Sequence, residues 1–131
     1  MGKWDGLDRR KFPRVNYPCL VIIRHEHGGE DDVILTHTEN VGIGGICVIL
    51  KKNVEMFTQV EIELDLLDLG NHIRCRGKIV WNVRRRIDDR KKPSFFDVGI
   101  EFQDINKKDQ ERIDEVVKKL VKANRETPYA S

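Results

Sequence analysis

The sequence is poor in the residues that usually mark a metal site, a disulfide framework or a membrane span. Only three of its 131 residues are cysteines, and Cys19, Cys47 and Cys75 lie far apart within apolar runs. Such spacing fits neither a zinc ligand set nor a disulfide framework, so we expect three small buried thiols. No apolar run is long enough to cross a bilayer and no apolar segment leads the chain. This pattern predicts a soluble, cytoplasmic protein without membrane insertion.

Catalytic groupings and a dominant charge are also lacking. The sequence shows no Ser/His/Asp or Cys/His grouping and no paired-carboxylate motif, so we expect neither an enzyme nor a bound metal or cofactor. His25 and His27 share a strand face without a third ligand at matching spacing, and a solvated hairpin explains them. Charged residues make up 35% of the chain, yet the net charge is only +2. A function that uses positive charge must therefore depend on a local patch.

What the sequence does contain is a series of short apolar segments separated by turn residues. Apolar runs and alternating patterns rich in β-branched side chains predict strands at 17–24, 33–39, 46–50, 59–66, 72–82 and 96–102. Gly77 interrupts the fifth segment where a bulge or a barrel corner would fit. Six short strands in one domain predict a mainly β fold, a six-stranded antiparallel barrel that spans residues 16–103.

The hydrophobic period changes after the last predicted strand. Asn106 is a suitable N-cap for a helix. Apolar residues then recur at helical spacing, at Ile113, Val116, Val117, Leu120 and Val121. This pattern predicts an amphipathic C-terminal helix over residues 106–124, followed by a tail at 125–131. The apolar stripe must be buried across an open end of the barrel or against a partner.

A basic segment precedes the first strand. Residues 1–15 are mostly polar and carry Arg9, Arg10 and Arg14 around Pro13, which predicts a flexible basic arm. Each guanidinium offers a planar fork of donors that suits phosphate oxygens or the edge of a guanine. The arm therefore indicates binding chemistry.

A glycine-rich segment follows the second predicted strand. Asn40 precedes Gly42, Gly44 and Gly45. Glycines at these positions permit positive φ and let a ligand approach the backbone closely, whereas a strand-to-strand corner is the simpler explanation of this segment alone. Asn40 can offer its amide to a base edge or hold the turn, and both interpretations remain open.

Four segments taken together resemble the PilZ domain family. They are RKFPR at 10–14, NVGIGG at 40–45, GKIVW at 77–81 and VGIEF at 98–102. The resemblance covers nearly the whole chain from Asp8 to the helix. PilZ domains are six-stranded β-barrels that act as bacterial receptors for the second messenger cyclic di-GMP. The resemblance therefore implies this fold, this ligand and a role in bacterial signalling.

The resemblance also implies a set of ligand-binding residues. The family's first motif, Arg-x-x-x-Arg, is matched by Arg10 and Arg14. Its second motif is Asp or Asn, any residue, Ser, two residues of any kind, then Gly. Asn40 and Gly45 match this motif, while Gly42 stands at the serine position. The change removes a hydroxyl that the family is expected to use in holding the ligand.

Two further residues are assigned by the resemblance. Arg9 immediately precedes the first motif, and an arginine there resembles family members that bind an intercalated pair of ligands. This implies two cyclic di-GMP molecules per protomer. Trp81 stands where some members place an aromatic side chain against the ligand, although packing into the core is an equal alternative.

Three functional hypotheses follow. The first is a small cyclic di-GMP receptor or adaptor that relays the signal to an unidentified downstream protein by ordering of the arm. The second is a PilZ-like interaction module that binds no ligand, which the glycine at position 42 keeps open. The third is a small-barrel nucleic-acid binder, disfavoured by the near-neutral net charge and the aromatic content of 7%.

Overall fold

Strands dominate the part of the chain that the structure describes. The computed structural model describes residues 14–25, 33–85 and 95–126. The strands in these ranges are β1 (Arg14–Asn16), β2 (Leu20–His25), β3 (Val33–Gly42), β4 (Gly45–Leu50), β5 (Gln59–Asp65), β6 (Ile73–Arg84) and β7 (Phe96–Phe102). They are followed by helix α1 (Lys107–Glu126).

The strands close into an antiparallel barrel. Their order in the sheet is β1-β3-β2-β5-β6-β7-β4, and an additional pairing of β3 with β4 closes the ring. Strands β1 and β2 pair with successive parts of β3, so together they serve as one strand of the barrel. The predicted six-stranded antiparallel barrel with a C-terminal helix is confirmed.

The first strand of the barrel is interrupted at Pro18. The sequence pattern predicts one strand over 17–24, but β2 begins only at Leu20, and residues 17–19 separate it from β1. Proline lacks a backbone N–H and cannot complete the ladder. The Thr38 hydroxyl compensates, because it accepts a hydrogen bond from Cys19 N at 2.9 Å and donates one to the Tyr17 carbonyl. A buried side chain thus maintains the continuity of the wall.

The barrel also begins earlier than predicted. In β1, Arg14 pairs with Gly42, and the next residue, Val15, has a buried side chain. The predicted boundary between arm and barrel at residue 16 therefore moves to Arg14, because Val15 contributes apolar area to the core. The rest of the predicted arm, 1–13, and residues 127–131 lie outside the described residues.

Helix α1 packs against the barrel near β1 and β3. Asn106 caps it, since its Oδ1 accepts a hydrogen bond from Asp109 N at 2.8 Å. Ile113 and Val117 are fully buried. The apolar stripe is therefore covered by the barrel itself, and the helix extends to Glu126 rather than to residue 124.

All three cysteines are buried, and none forms a disulfide. Burial raises the pKa of Cys19 to about 11 and that of Cys75 to about 12. These two thiols therefore stay protonated at neutral pH and pack as small apolar side chains.

Candidate functional site

The strand register brings separate segments of the sequence together on the outer face of the barrel. Asn40 of β3 lies opposite Cys47 of β4, and Cys47 lies opposite Gly99 of β7. Gly99 in turn lies opposite Trp81 of β6. Directly opposed residues of an antiparallel sheet share a face, and neighbouring residues such as Ile100 point into the core. Asn40, Cys47, Gly99 and Trp81 therefore form an outward-facing set that we call the outer row.

A second line of residues runs beside the outer row. Arg14 of β1 lies opposite Gly42 of β3, and Gly42 lies opposite Gly45 of β4. The last arginine of the first motif is therefore in register with the glycines of the second motif. Arg9 and Arg10 lie outside the described residues, and for Arg14 the structure describes the backbone.

Gly45 allows close packing of two strands. The φ angle is not positive at any described glycine, so this segment does not use the left-handed conformation that its glycines permit. A Cβ atom at Gly45 would collide with the carbonyl oxygen of Ile100 on β7. A Cβ atom at Gly44 would meet nothing within 4 Å. The missing side chain at Gly45 thus lets β4 approach β7, which is a structural role.

Trp81 lies on the outer face because of a β-bulge. The register of β6 shifts between Ile79 and Trp81, which leaves Val80 as the extra residue. Ile79 is buried opposite Ile100, whereas Trp81 lies opposite Gly99. The indole rests against Gly99, where a Cβ atom would collide with its Nε1 and Cε2 atoms. The alternative that places Trp81 in the core is therefore wrong.

Asn40 carries an unused hydrogen-bond acceptor at one end of the outer row. Its Oδ1 atom is buried and accepts no hydrogen bond from the described residues. A buried acceptor without a partner destabilises a folded protein by about 1–3 kcal/mol, so its presence requires an explanation. A donor on a bound ligand would provide one.

An ion-pair bridge that the sequence does not predict lies next to the outer row. Arg85 donates through Nε to Asp97 Oδ1 at 3.0 Å and through Nη2 to Glu39 Oε1 at 2.8 Å. Arg85 and Glu39 are 46 positions apart, so no local pattern links them. Gly99 was also missed as a site residue, although an isolated glycine within a strand often marks close approach.

The outer face of β5 and the first half of β6 has a different chemistry. Glu63 Oε2 lies 2.8 Å from His72 Nδ1, and Glu63 Oε1 lies 3.5 Å from Arg74 Nε. The hydrogen bond to His72 is the main reason that the pKa of Glu63 is lowered. Arg76 Nε lies 3.0 Å from Asp104 Oδ2 beside a cavity of about 550 Å³. We call this surface the paired wall: Arg24, Glu63, His72, Arg74, Arg76 and Asp104.

The described ranges contain no group of three or more His, Cys, Asp or Glu side chains that could hold a metal ion. Of the predicted histidine pair, His25 ends β2 and His27 lies outside these ranges. Within the same ranges, no helix combines the length and the apolar character of a membrane span.

Core side chains fill the interior of the barrel, so the candidate site lies on its outer wall. The class of protein is therefore a closed antiparallel β-barrel in which Arg14, the glycine-rich segment and Trp81 lie on neighbouring strands of the outer wall. The family model for the PilZ domain matches residues 8–119. The chain belongs to the PilZ domain family.

Solved structures share this fold at low sequence identity. The PilZ domain of Escherichia coli YcgR with c-di-GMP is 13% identical, with a TM-score of 0.66 and coverage of 94% of this chain and 99% of that chain. The K. pneumonia MrkH–c-di-GMP complex is 20% identical, with a TM-score of 0.71 and coverage of 90% and 55%. MotI/DgrA of Bacillus subtilis, an inhibitor of motility, is 19% identical, with a TM-score of 0.66 and coverage of 85% and 50%.

The chain spans about half the length of MrkH and of MotI/DgrA. Among curated proteins, none matches this chain significantly.

Proposed function

We propose that this chain is a receptor for cyclic di-GMP and that it binds the ligand on the outer face of the barrel. The observation that carries the proposal is the pairing of β1 with β3, in which Arg14 lies opposite Gly42, two residues along β3 from Asn40. Membership of the PilZ family supports it, as do the c-di-GMP complexes of YcgR and MrkH, which share the fold.

The proposed site residues match the chemistry of the ligand. Cyclic di-GMP presents anionic phosphates and guanine bases. Arg9, Arg10 and Arg14 suit the phosphate oxygens or the O6/N7 edge of guanine. Asn40 Oδ1 suits the N–H donors of guanine, and Trp81 offers a flat surface on which a base can stack. The proposal involves binding without catalysis or a cofactor.

The number of ligands and the signal form the finer part of the proposal. With Arg9 preceding the first motif, we propose that two cyclic di-GMP molecules bind per protomer. The ligand phosphates would offset the repulsion among the arginines, and the arm, residues 1–13, would become ordered over the barrel. A downstream protein in the cytoplasm would recognise the ordered arm.

Isothermal titration calorimetry tests the binding and its stoichiometry. We expect saturable binding of cyclic di-GMP, and none of GTP, cyclic GMP or a short single-stranded oligonucleotide. Arg10→Ala and Arg14→Ala should each weaken binding by about 1–3 kcal/mol, because each removes a bidentate donor. Arg74→Ala, which removes an exposed arginine from the paired wall, is the matched control. Unchanged affinity in both motif variants would contradict the site assignment.

Amide hydrogen exchange tests the relay. Cyclic di-GMP should increase protection of residues 9–13, the part of the predicted range that precedes β1, and of residues 40–45, with little change in residues 107–124. Equal protection of residues 9–13 with and without ligand would contradict the relay, even where calorimetry shows binding.

Gly42 favours a second candidate, a PilZ-like interaction module that binds no ligand. Its φ angle is not positive, so the backbone is compatible with serine at this position. Absence of binding by the parent protein, together with binding by Gly42→Ser, would favour this candidate. Binding of the oligonucleotide alone would instead favour the small-barrel nucleic-acid binder.

A further inference from the structure

The Arg85 bridge fixes two carboxylates on the outer face of the barrel. The guanidinium contacts Glu39 on β3 and Asp97 on β7, and β4 lies between these two strands. The bridge therefore crosses β4. Side-chain exposures of 44% for Arg85, 30% for Glu39 and 26% for Asp97 show that the bridge remains accessible to solvent.

Both carboxylates lie near the outer row. Glu39 directly precedes Asn40 in β3. Asp97 and Gly99 lie on the same face of β7, separated by about 7 Å along the strand. A dianionic ligand bound at the outer row therefore lies near two negative charges.

We propose that Arg85 is a positioning residue for the anionic ligand, which acts by neutralising Glu39 and Asp97 beside the site. The inference rests on the proposed cyclic di-GMP function. Without the guanidinium, the two carboxylates would repel the ligand phosphates. The two carboxylates would also compete with the ligand, because they could pair with the arm arginines that the ligand needs for binding.

A purely structural bridge leads to different expectations. Partly exposed ion pairs contribute little to folding stability. If Arg85 acts through charge, its loss should change ligand affinity and the dependence of affinity on salt more than it changes the melting temperature. A structural role would show the reverse.

Calorimetric titration of the full chain with cyclic di-GMP at low and high NaCl concentration tests this role. Arg85→Ala should weaken binding about tenfold at low salt, and screening should reduce this difference at high salt. Arg85→Lys, which keeps the charge, should lose less. Combining Arg85→Ala with Glu39→Gln and Asp97→Asn should restore the affinity to within about twofold, because no uncompensated carboxylate remains.

Arg74→Ala is again the control for loss of one exposed positive charge, and its affinity should equal that of the parent. Equal affinity of Arg85→Ala and the parent at low salt would overturn the inference. So would a triple variant that folds but binds as weakly as Arg85→Ala. A parent protein that does not bind cyclic di-GMP would instead refute the proposed function, and this role with it.

A second variant keeps the test decisive if Arg85→Ala does not fold. Glu39→Gln combined with Asp97→Asn retains the guanidinium and removes both negative charges. Binding of cyclic di-GMP should then become tighter than in the parent. Weaker binding by a folded double variant would overturn the inference.

Discussion

The paired wall and the outer row differ in how their polar groups are paired. On the paired wall, Glu63 is surrounded by His72, Arg24 and Arg74 at distances of 2.8–3.8 Å. On the outer row, Asn40 keeps a buried oxygen without a partner among the described residues. Position 99, opposite Trp81, is a glycine, so the strand presents no side chain there.

This difference shows where the molecule retains capacity to bind. Charges that pair within the fold leave few donors or acceptors for a ligand, and exposed pairs of this kind contribute little stability. An unpaired buried acceptor lowers stability, and proteins retain such unfavourable groups mainly at functional sites. This favours a function for the acceptor. The paired wall therefore serves as a hydrated surface of the barrel. The outer row is the better candidate for binding a ligand.

The largest expected effect is on stability, and it distinguishes Gly45, which packs against β7, from its neighbour Gly44. Gly45→Ala should lower the free energy of unfolding by about 1–3 kcal/mol, because the new Cβ meets the backbone carbonyl of Ile100. Gly44→Ala, where a Cβ meets nothing within 4 Å, is the matched control and should change stability by less than about 0.5 kcal/mol. Urea denaturation of both variants measures the difference. Equal stability of the two variants would contradict the structural role of Gly45.

A pair of asparagines tests whether the unused acceptor serves binding. Asn40→Ala should leave stability unchanged or raise it, and should weaken cyclic di-GMP binding by about 0.5–1.5 kcal/mol through loss of one hydrogen bond. Asn82→Ala is the contrast, because Asn82 also has a buried Oδ1 without a partner among the described residues, but its Nδ2 donates to Asn53 Oδ1 and to the Val54 carbonyl, each at 2.7 Å. It should lower stability. If Asn40→Ala is less stable than the parent but binds cyclic di-GMP with the same affinity, Asn40 has a structural role and does not contribute to binding.

The smallest effect concerns the pH dependence of the paired wall. The hydrogen bond to His72 lowers the pKa of Glu63, and hydrogen bonds from the backbone and side chain of Arg76 lower the pKa of Asp104. A carboxyl group with a lowered folded-state pKa stabilises the protein above its unfolded pKa and loses that contribution as pH falls through the folded value. The free energy of unfolding should therefore decline as pH falls below about 4.5, the ordinary pKa of a glutamate, by less than about 1 kcal/mol from each group.

Glu63→Gln is the control for this pH series. It should lower the melting temperature slightly at neutral pH and make the decline in acid shallower. An identical acid decline in Glu63→Gln and the parent would show that the paired wall contributes nothing to pH dependence.

The sequence predicted most of the fold because strands and helices leave local periodic patterns. Alternation over 59–66 identified β5 nearly to its ends, and the helical spacing after Asn106 identified α1. The family followed from the order of its motifs along the chain. Pro18 was visible in the sequence, yet its effect on the first strand depended on compensation by Thr38 from another strand.

The sequence by itself therefore determined the barrel, the helix and the PilZ family, because periodicity and motif order are properties of neighbouring residues. Tertiary structure alone decided the face on which Trp81 lies, since one extra residue in β6 reverses the direction of every side chain that follows it. It also decided the partners of Arg85, because Glu39 comes within 2.8 Å of it only when the barrel closes. Contacts between distant residues arise from register and closure, which no local pattern records.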